Sequence, residues 1–250
     1  MLTGEPVNGR TKSLGKRIAW LFWETLIIVV GVLIALGLND YWTDRQERHL
    51  EVAYLKRFQA DLESDREWLS FYLEQQIPRK FAALGAIAPI VRGQEPVPAD
   101  LETFLLNVSL GALGGVSPSF FVTSTTKDDL TATGNFRLIQ DVALRGRISQ
   151  YYVAYANNHK RLVARTTGYP ATVVSVLPSA LRDKLDLKAM EGWGIDPALE
   201  VVLSKDFQFL LNQEYNLAYF LDSLYSNQLQ VIEELCRDLE AHIEMLEHNL

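Results

Sequence analysis

One cysteine, Cys236, occurs in 250 residues, so no internal disulfide can form and no second thiol exists to complete a CxxC or a cysteine-rich zinc site. Histidine is nearly as scarce. His49, His159, His242 and His248 are all there are; none lies in HExxH, and none has the ExxH spacing of di-iron bundles. His242, Glu244, Glu247 and His248 form the densest group of metal-type ligands, yet they spread around one helix end and read as solvated surface. G-x-S-x-G, P-loop and GxGxxG motifs are missing too. The expectation is a non-enzymatic chain with no catalytic residues, no metal and no cofactor. A positive charge excess is also lacking: 24 Lys and Arg against 31 Asp and Glu give −7, the wrong sign for neutralising phosphates. Nucleic acid is therefore not an expected partner. No fixed-period repeat is present, and Val173 to Val176 is the one strand candidate.

Long apolar runs are absent with a single exception. Ile18 to Leu38 reads IAWLFWETLIIVVGVLIALGL and carries one ionisable residue, Glu24. At ~1.5 Å per residue it reaches about 30 Å, the thickness of a bilayer's hydrocarbon core. Trp20 and Trp23 at one end, with Tyr41 and Trp42 at the other, suit the headgroup level and are expected as interfacial anchors. A cleaved signal peptide is the competing reading, with Ala35-Leu36-Gly37 as a small-x-small site; the run exceeds a usual h-region of about 7–15 residues, and Glu24 interrupts it. Arg10, Lys12, Lys16 and Arg17 precede the span, whereas Asp40, Asp44 and Glu47 mix with Arg45 and Arg48 after it. That bias predicts a cytoplasmic tail (1–17), a membrane helix (18–38) and an exported, periplasmic helical domain (39–250). Lys56 and Arg57 even the basic counts once the window widens.

A carboxylate inside a bilayer is costly unless protonated, paired or facing a polar cavity. At about 100° per residue, Glu24, Gly31, Ala35, Leu38 and Trp42 fall within about 40° of one line, with Asn39 about 60° away. Gly31 and Ala35 form a small-xxx-small pair that admits a second helix. The stripe of Glu24, Gly31, Ala35, Asn39 and Trp42 is therefore a candidate helix interface, with plain lipid exposure or a proton-carrying Glu24 as alternatives.

Beyond the span, Leu55, Phe58, Leu62, Leu69 and Tyr72 keep helical spacing, with Asp61, Glu63, Asp65 and Glu67 between them. The absence of Gly and Pro from Leu38 to Pro78 predicts an unbroken helix to about Gln76. A second stripe, Leu217, Leu221, Leu224, Val231, Leu235, Leu239, Ile243 and Leu246, lies in a Gly- and Pro-free segment from Leu211 to Asn249. The expected fold is all-α: a helical bundle in which these long first and last helices pack antiparallel. Asp100 is expected to cap a short helix, Gly111 to Val122 reads as loop, and Gly192 to Pro197 as a break. Thr126, Asp129, Gly134 and Asp141 predict a structural corner: Thr126 caps a helix at 127–133, Gly134 turns left-handed, and Asp141 caps a helix reaching about Arg165, whose Tyr151, Tyr152 and Tyr155 read as core.

The span (Glu24, then Gly31-Val32-Leu33-Ile34-Ala35-Leu36 and Asn39) and the stretch TKDDLTATGNFRLIQDVALRGRISQYY from Thr126 to Tyr152 resemble an uncharacterised family of bacterial single-span membrane proteins. Its members carry a Glu-containing span ending in G-I-L-I-A-L-x-I-N-x-W and a later L-x-x-x-G-x-x-x-L-I motif ending in paired tyrosines. The resemblance covers roughly 50 of the 250 residues, and this chain has one extra residue between Asn39 and Trp42. It implies no activity. The functional expectation is a membrane-anchored scaffold or accessory subunit whose partners are the lipid bilayer and either a second copy or a membrane-protein complex. A sensor or ligand-binding bundle coupled to a membrane partner, and an ion-coupled stator-like subunit using Glu24, are the alternatives.

Overall fold

The computed structural model describes residues 11–112, 122–177, 195–248 and 250, with side chains from Trp20 onward. Every regular element among them is helical. Helix α1, Thr11–Phe71, runs for 61 residues, carrying the apolar segment and the first amphipathic stripe on one axis. Nothing in the sequence from Leu38 to Phe71 breaks it, because neither proline nor glycine interrupts the backbone hydrogen bonds.

The helix does not end near Gln76 as expected. A single π-turn, Tyr72–Gln76, joins α1 directly to α2, Ile77–Val91. The N–H of Ile77 reaches back to the carbonyl of Tyr72, and Pro78 sits in the first turn of α2, where its missing N–H is tolerated. The turn has a packing consequence. Buried side chains follow steps of three or four residues through Glu51, Leu55, Phe58, Leu62, Asp65 and Leu69. They resume with Ile77, Lys80, Leu84, Ile87 and Val91. One five-residue step across the π-turn, from half-buried Tyr72 to Ile77, keeps both series on one face.

Helix α8, Lys205–His248, spans 44 residues and covers that face. The pairing is antiparallel. Lys56 Nζ is 2.6 Å from Glu247 Oε1, the Tyr72 and Tyr225 rings meet edge-on at 5.4 Å, and Arg92 donates to Asn212 at 3.0 Å. On α8 the stripe passes through Tyr225, Gln228 and Ile232, all buried; Val231 is exposed and Leu224 half-buried. An apolar pattern that skips a tyrosine and a glutamine places the turn at 231 one residue out of phase.

The shorter helices divide the core in two. Helix α3 (Leu101–Gly111), α6 (Tyr169–Val176) and α7 (Ile195–Val202) gather around α2 and the start of α8. Helix α4 (Thr125–Ala132) and α5 (Val142–Val163) pack beside α1 and the rest of α8. Asp100 caps α3 through the N–H of Thr103. Val173 to Val176 is helix, not strand: Pro170 occupies the first turn, and Tyr169, Val173 and Leu177 are buried at helical spacing. Gly111 closes α3 rather than opening a loop; the remainder of that loop expectation, 113–121, and residues 192–194 of the expected break lie outside the described residues, while Pro197 falls in the first turn of α7.

If the π-turn is the phase corrector, removing one residue from it is tolerated and removing one from α1 is not. Deleting exposed Gln75 together with Pro78→Ala, which removes the ring that an ordinary α-turn would reject, is expected to leave a cooperative melt and full helicity. Deleting exposed Ala60 rotates Asp61 to Tyr72 by about 100° and is expected to abolish the cooperative transition in circular dichroism.

Candidate functional site

All residues from Trp20 to Gln46 are exposed, and no described part of the chain packs against the apolar segment. Glu24, Gly31, Ala35, Asn39 and Trp42 therefore form an uncovered line. A Cβ added at Gly31 meets nothing within 4 Å. Trp20, Trp23 and Tyr41 are likewise exposed, at 65%, 62% and 59%.

The buried face that runs through α1 and α2 carries ionisable residues at Glu51 and Asp65 of α1 and Lys80 of α2, each meeting a different set of partners. Sequence reasoning placed Asp61 and Asp65 among the charges between the apolar positions of the stripe. Asp65 is instead 2% exposed, because Tyr151 donates to its Oδ2 at 2.7 Å while the N–H and hydroxyl of Thr123 both donate to Oδ1 at 2.9 Å. Half-buried Asp61 accepts the N–H of Thr126 at 3.0 Å. Burial raises the Asp65 carboxyl above the usual carboxylate range, opposed by the bonds from Tyr151 and Thr123.

Lys80 and Glu214, 2% and 0% exposed, pair across α2 and α8. The ammonium also donates to the carbonyl of Gly111, the last residue of α3, at 2.8 Å, and the Thr167 hydroxyl donates to the other carboxylate oxygen. A lysine at a helix C-terminus satisfies a carbonyl that the helix leaves free. The approach requires glycine: a Cβ on residue 111 would stand 2.7 Å from both Leu84 Cδ2 and the Tyr169 hydroxyl, which donates to the carbonyl of Val108. Burial lowers the Lys80 pKa, with Glu214 opposing. Sealed from solvent, the pair ties three helices together.

The corner comes together with a shifted start. Helix α4 begins at Thr125, so Thr126 is not its cap; its buried side chain lies inside the first turn, because its N–H is taken by Asp61. Asp129 holds Arg57 of α1 at 2.8 Å. Gly134 is left-handed at φ 70°, and the Asp141 carboxylate accepts the N–H groups of Ala143 and Leu144 at 2.8 and 3.0 Å, starting α5. Arg137 reaches Glu47 at 3.7 Å, a second strut from the corner to α1. Tyr151 is core, whereas Tyr152 and Tyr155 are half-buried.

Of the recesses beside α5, two are lined mainly by apolar side chains. One, about 20 Å³ between α5 and α8, is lined by Tyr155, Leu162, Tyr225 and Gln228 and has room for one water molecule. The other, an apolar surface groove of about 570 Å³, runs along Leu130, Phe136, Tyr152 and Val153. Among the described residues no three His, Cys, Asp or Glu side chains are grouped to hold a metal ion. No protein-family model, curated protein or solved structure matches the chain.

Leaving either partner of a buried ion pair alone is the costly step. Lys80→Met is expected to destabilise the domain by about 3–5 kcal/mol, and the double change Lys80→Met with Glu214→Leu to recover most of that, measured by urea unfolding in micelles.

Tyr151→Phe removes a bond to Asp65 whose strength depends on the carboxyl's charge. Because Asp65 has a raised folded pKa, its ionisation costs stability as pH rises from about 4 through that folded value. The missing hydroxyl is thus expected to cost about 1.5–3 kcal/mol at pH 7 and nearer about 1 kcal/mol at pH 4, compared by unfolding at both.

Proposed function

We propose that this chain is a single-pass, membrane-anchored helical scaffold or accessory subunit that assembles with a second copy or with a membrane-protein complex. The observation that carries the reading is the division of one unbroken helix. Its first part, Trp20 to Gln46, is exposed throughout, and its continuation is the covered spine of the domain. An uncovered apolar run of this length is stable in hydrocarbon and not in water. The basic flank before the span supports a cytoplasmic N-terminus and a periplasmic domain. The resemblance to bacterial single-span proteins supports a single membrane crossing.

Assembly within the bilayer is assigned to the Glu24, Gly31, Ala35 and Asn39 line. Small residues let two backbones approach, and a carboxyl beside them gains a hydrogen-bond partner it lacks in lipid. A non-enzymatic role is supported by the way the buried charged groups are used: Asp65 and the Lys80–Glu214 pair are taken up by bonds between helices. The groove along Phe136 and Val153 favours a second reading, a ligand-responsive module, since its volume is that of a small-molecule site.

Substitutions at Glu24 separate an interface residue from a proton carrier. If it is an interface residue, Glu24→Gln is expected to be nearly silent and Glu24→Leu to weaken assembly by about 1 kcal/mol per helix contact, measured by dilution-dependent energy transfer in vesicles. Loss of activity with intact assembly in Glu24→Gln would instead identify a proton carrier. Unchanged assembly in Glu24→Leu would overturn the interface. A reporter fused after residue 50 is expected to read periplasmic.

A further inference from the structure

At the junction nearest the apolar segment, the imidazole of His242 on α8 stands between two carboxylates. Its Nε2 is 3.8 Å from Glu51 Oε1 on α1, and its Nδ1 is 3.8 Å from Asp141 Oδ2 at the head of α5. The histidine side chain is 13% exposed and Glu51 0%. Glu51 Oε1 accepts the N–H of Gln140 at 2.7 Å, whereas Glu51 Oε2 and His242 Nε2 are buried without a hydrogen-bond partner.

A neutral imidazole has one N–H and one lone pair, so between two carboxylates it donates to one and turns a lone pair on the other. The imidazolium donates from both nitrogens. Charged groups on the same elements pair with each other: Arg147 of α5 with Asp238 of α8, Arg137 of the corner with Glu47 of α1, and Lys56 of α1 with Glu247 of α8. Arg145 donates to the carbonyl of Ile139.

We propose that His242 is a proton-operated clasp. Its cationic form bridges Glu51 and Asp141 and binds α8, α1 and the head of α5 together; its neutral form lets one side go. The distances of 3.8 Å exceed a hydrogen bond, so closure requires a movement of less than about 1 Å. Imidazoles change charge within the range from about pH 5 to 8. The bridge of the cation to both carboxylates forms only in the folded chain, where α8, α1 and the head of α5 meet. Because α1 continues into the apolar segment, the closed clasp holds that helix close to where it leaves the segment.

Hydrogen exchange of the full chain in detergent micelles at pH 5.5 and 8, corrected for the intrinsic pH dependence of exchange, tests the clasp. Wild type is expected to protect the amides of Gln140 to Leu144 on the order of tenfold more at pH 5.5. His242→Gln keeps size and polarity but cannot become cationic, and it is expected to erase that difference. Asp141→Asn retains the Oδ1 acceptor that caps α5 and removes the charge facing Nδ1, so it reads the clasp even if the histidine variant folds poorly; it too should erase most of the difference. No pH difference in wild type, or an unchanged one in either folded variant, overturns the proposal.

Discussion

One helix has to satisfy two solvents. From Trp20 to Leu38 it is apolar on every side apart from Glu24, from Glu51 it is apolar on one, and only the charged helical turns between them, with no break, separate the two regimes. A one-sided stripe about forty residues long needs a cover of similar length, which is why α8 exists as a single 44-residue helix. Everything else in the domain is placed by that pair. The corner leans on α1 through Arg57 and Asp61, and the smaller helices fill the space beside α2 and the start of α8.

Apolar stripes alone leave an antiparallel pair free to slide, since leucines accept many registers. The buried charges remove that freedom. A slide of α8 by one turn would carry Glu214 away from Lys80 and strand both in a dry interior, at a cost of several kcal/mol. Asp65 adds a second lock through Tyr151 and Thr123, and it is set into the wall formed by α5 rather than by α8. Register and the placement of α5 are thus held by different residues, Lys80 of α2 and Asp65 of α1, on one continuous face.

Periodicity and punctuation made the helical class, the long outer helices, the Asp100 and Asp141 caps and the left-handed Gly134 legible in advance, because each rests on neighbours within a few residues. The errors share a cause. The π-turn, the burial of Asp65 and the phase at Ile232 all depend on groups far away in sequence, so a charge at a seam position was set between the apolar positions, and Lys80 was passed over. One signal was available: Glu51, Asp65 and Lys80 occupy the stripe's own spacing once a single residue is added between Leu69 and Ile77. Pro78, just after that added residue, marked the place. The one strand candidate, Val173 to Val176, is helical because β-branched residues say little when a proline starts the turn and every fourth side chain is buried.

The cover for the spine follows every other described element in the chain, and this has a bearing on how the molecule is made. During synthesis the stripe from Glu51 to Val91 is complete long before Lys205 leaves the ribosome, so leucines and ionised residues alike wait without their partners. The pairs that join α1 and α2 to α8, such as Lys80 with Glu214, are among the most widely separated in sequence, and loops of that length close slowly. A chain built this way spends its early life with an amphipathic helix bare along its length, the condition in which holding chaperones and premature association compete for a nascent protein.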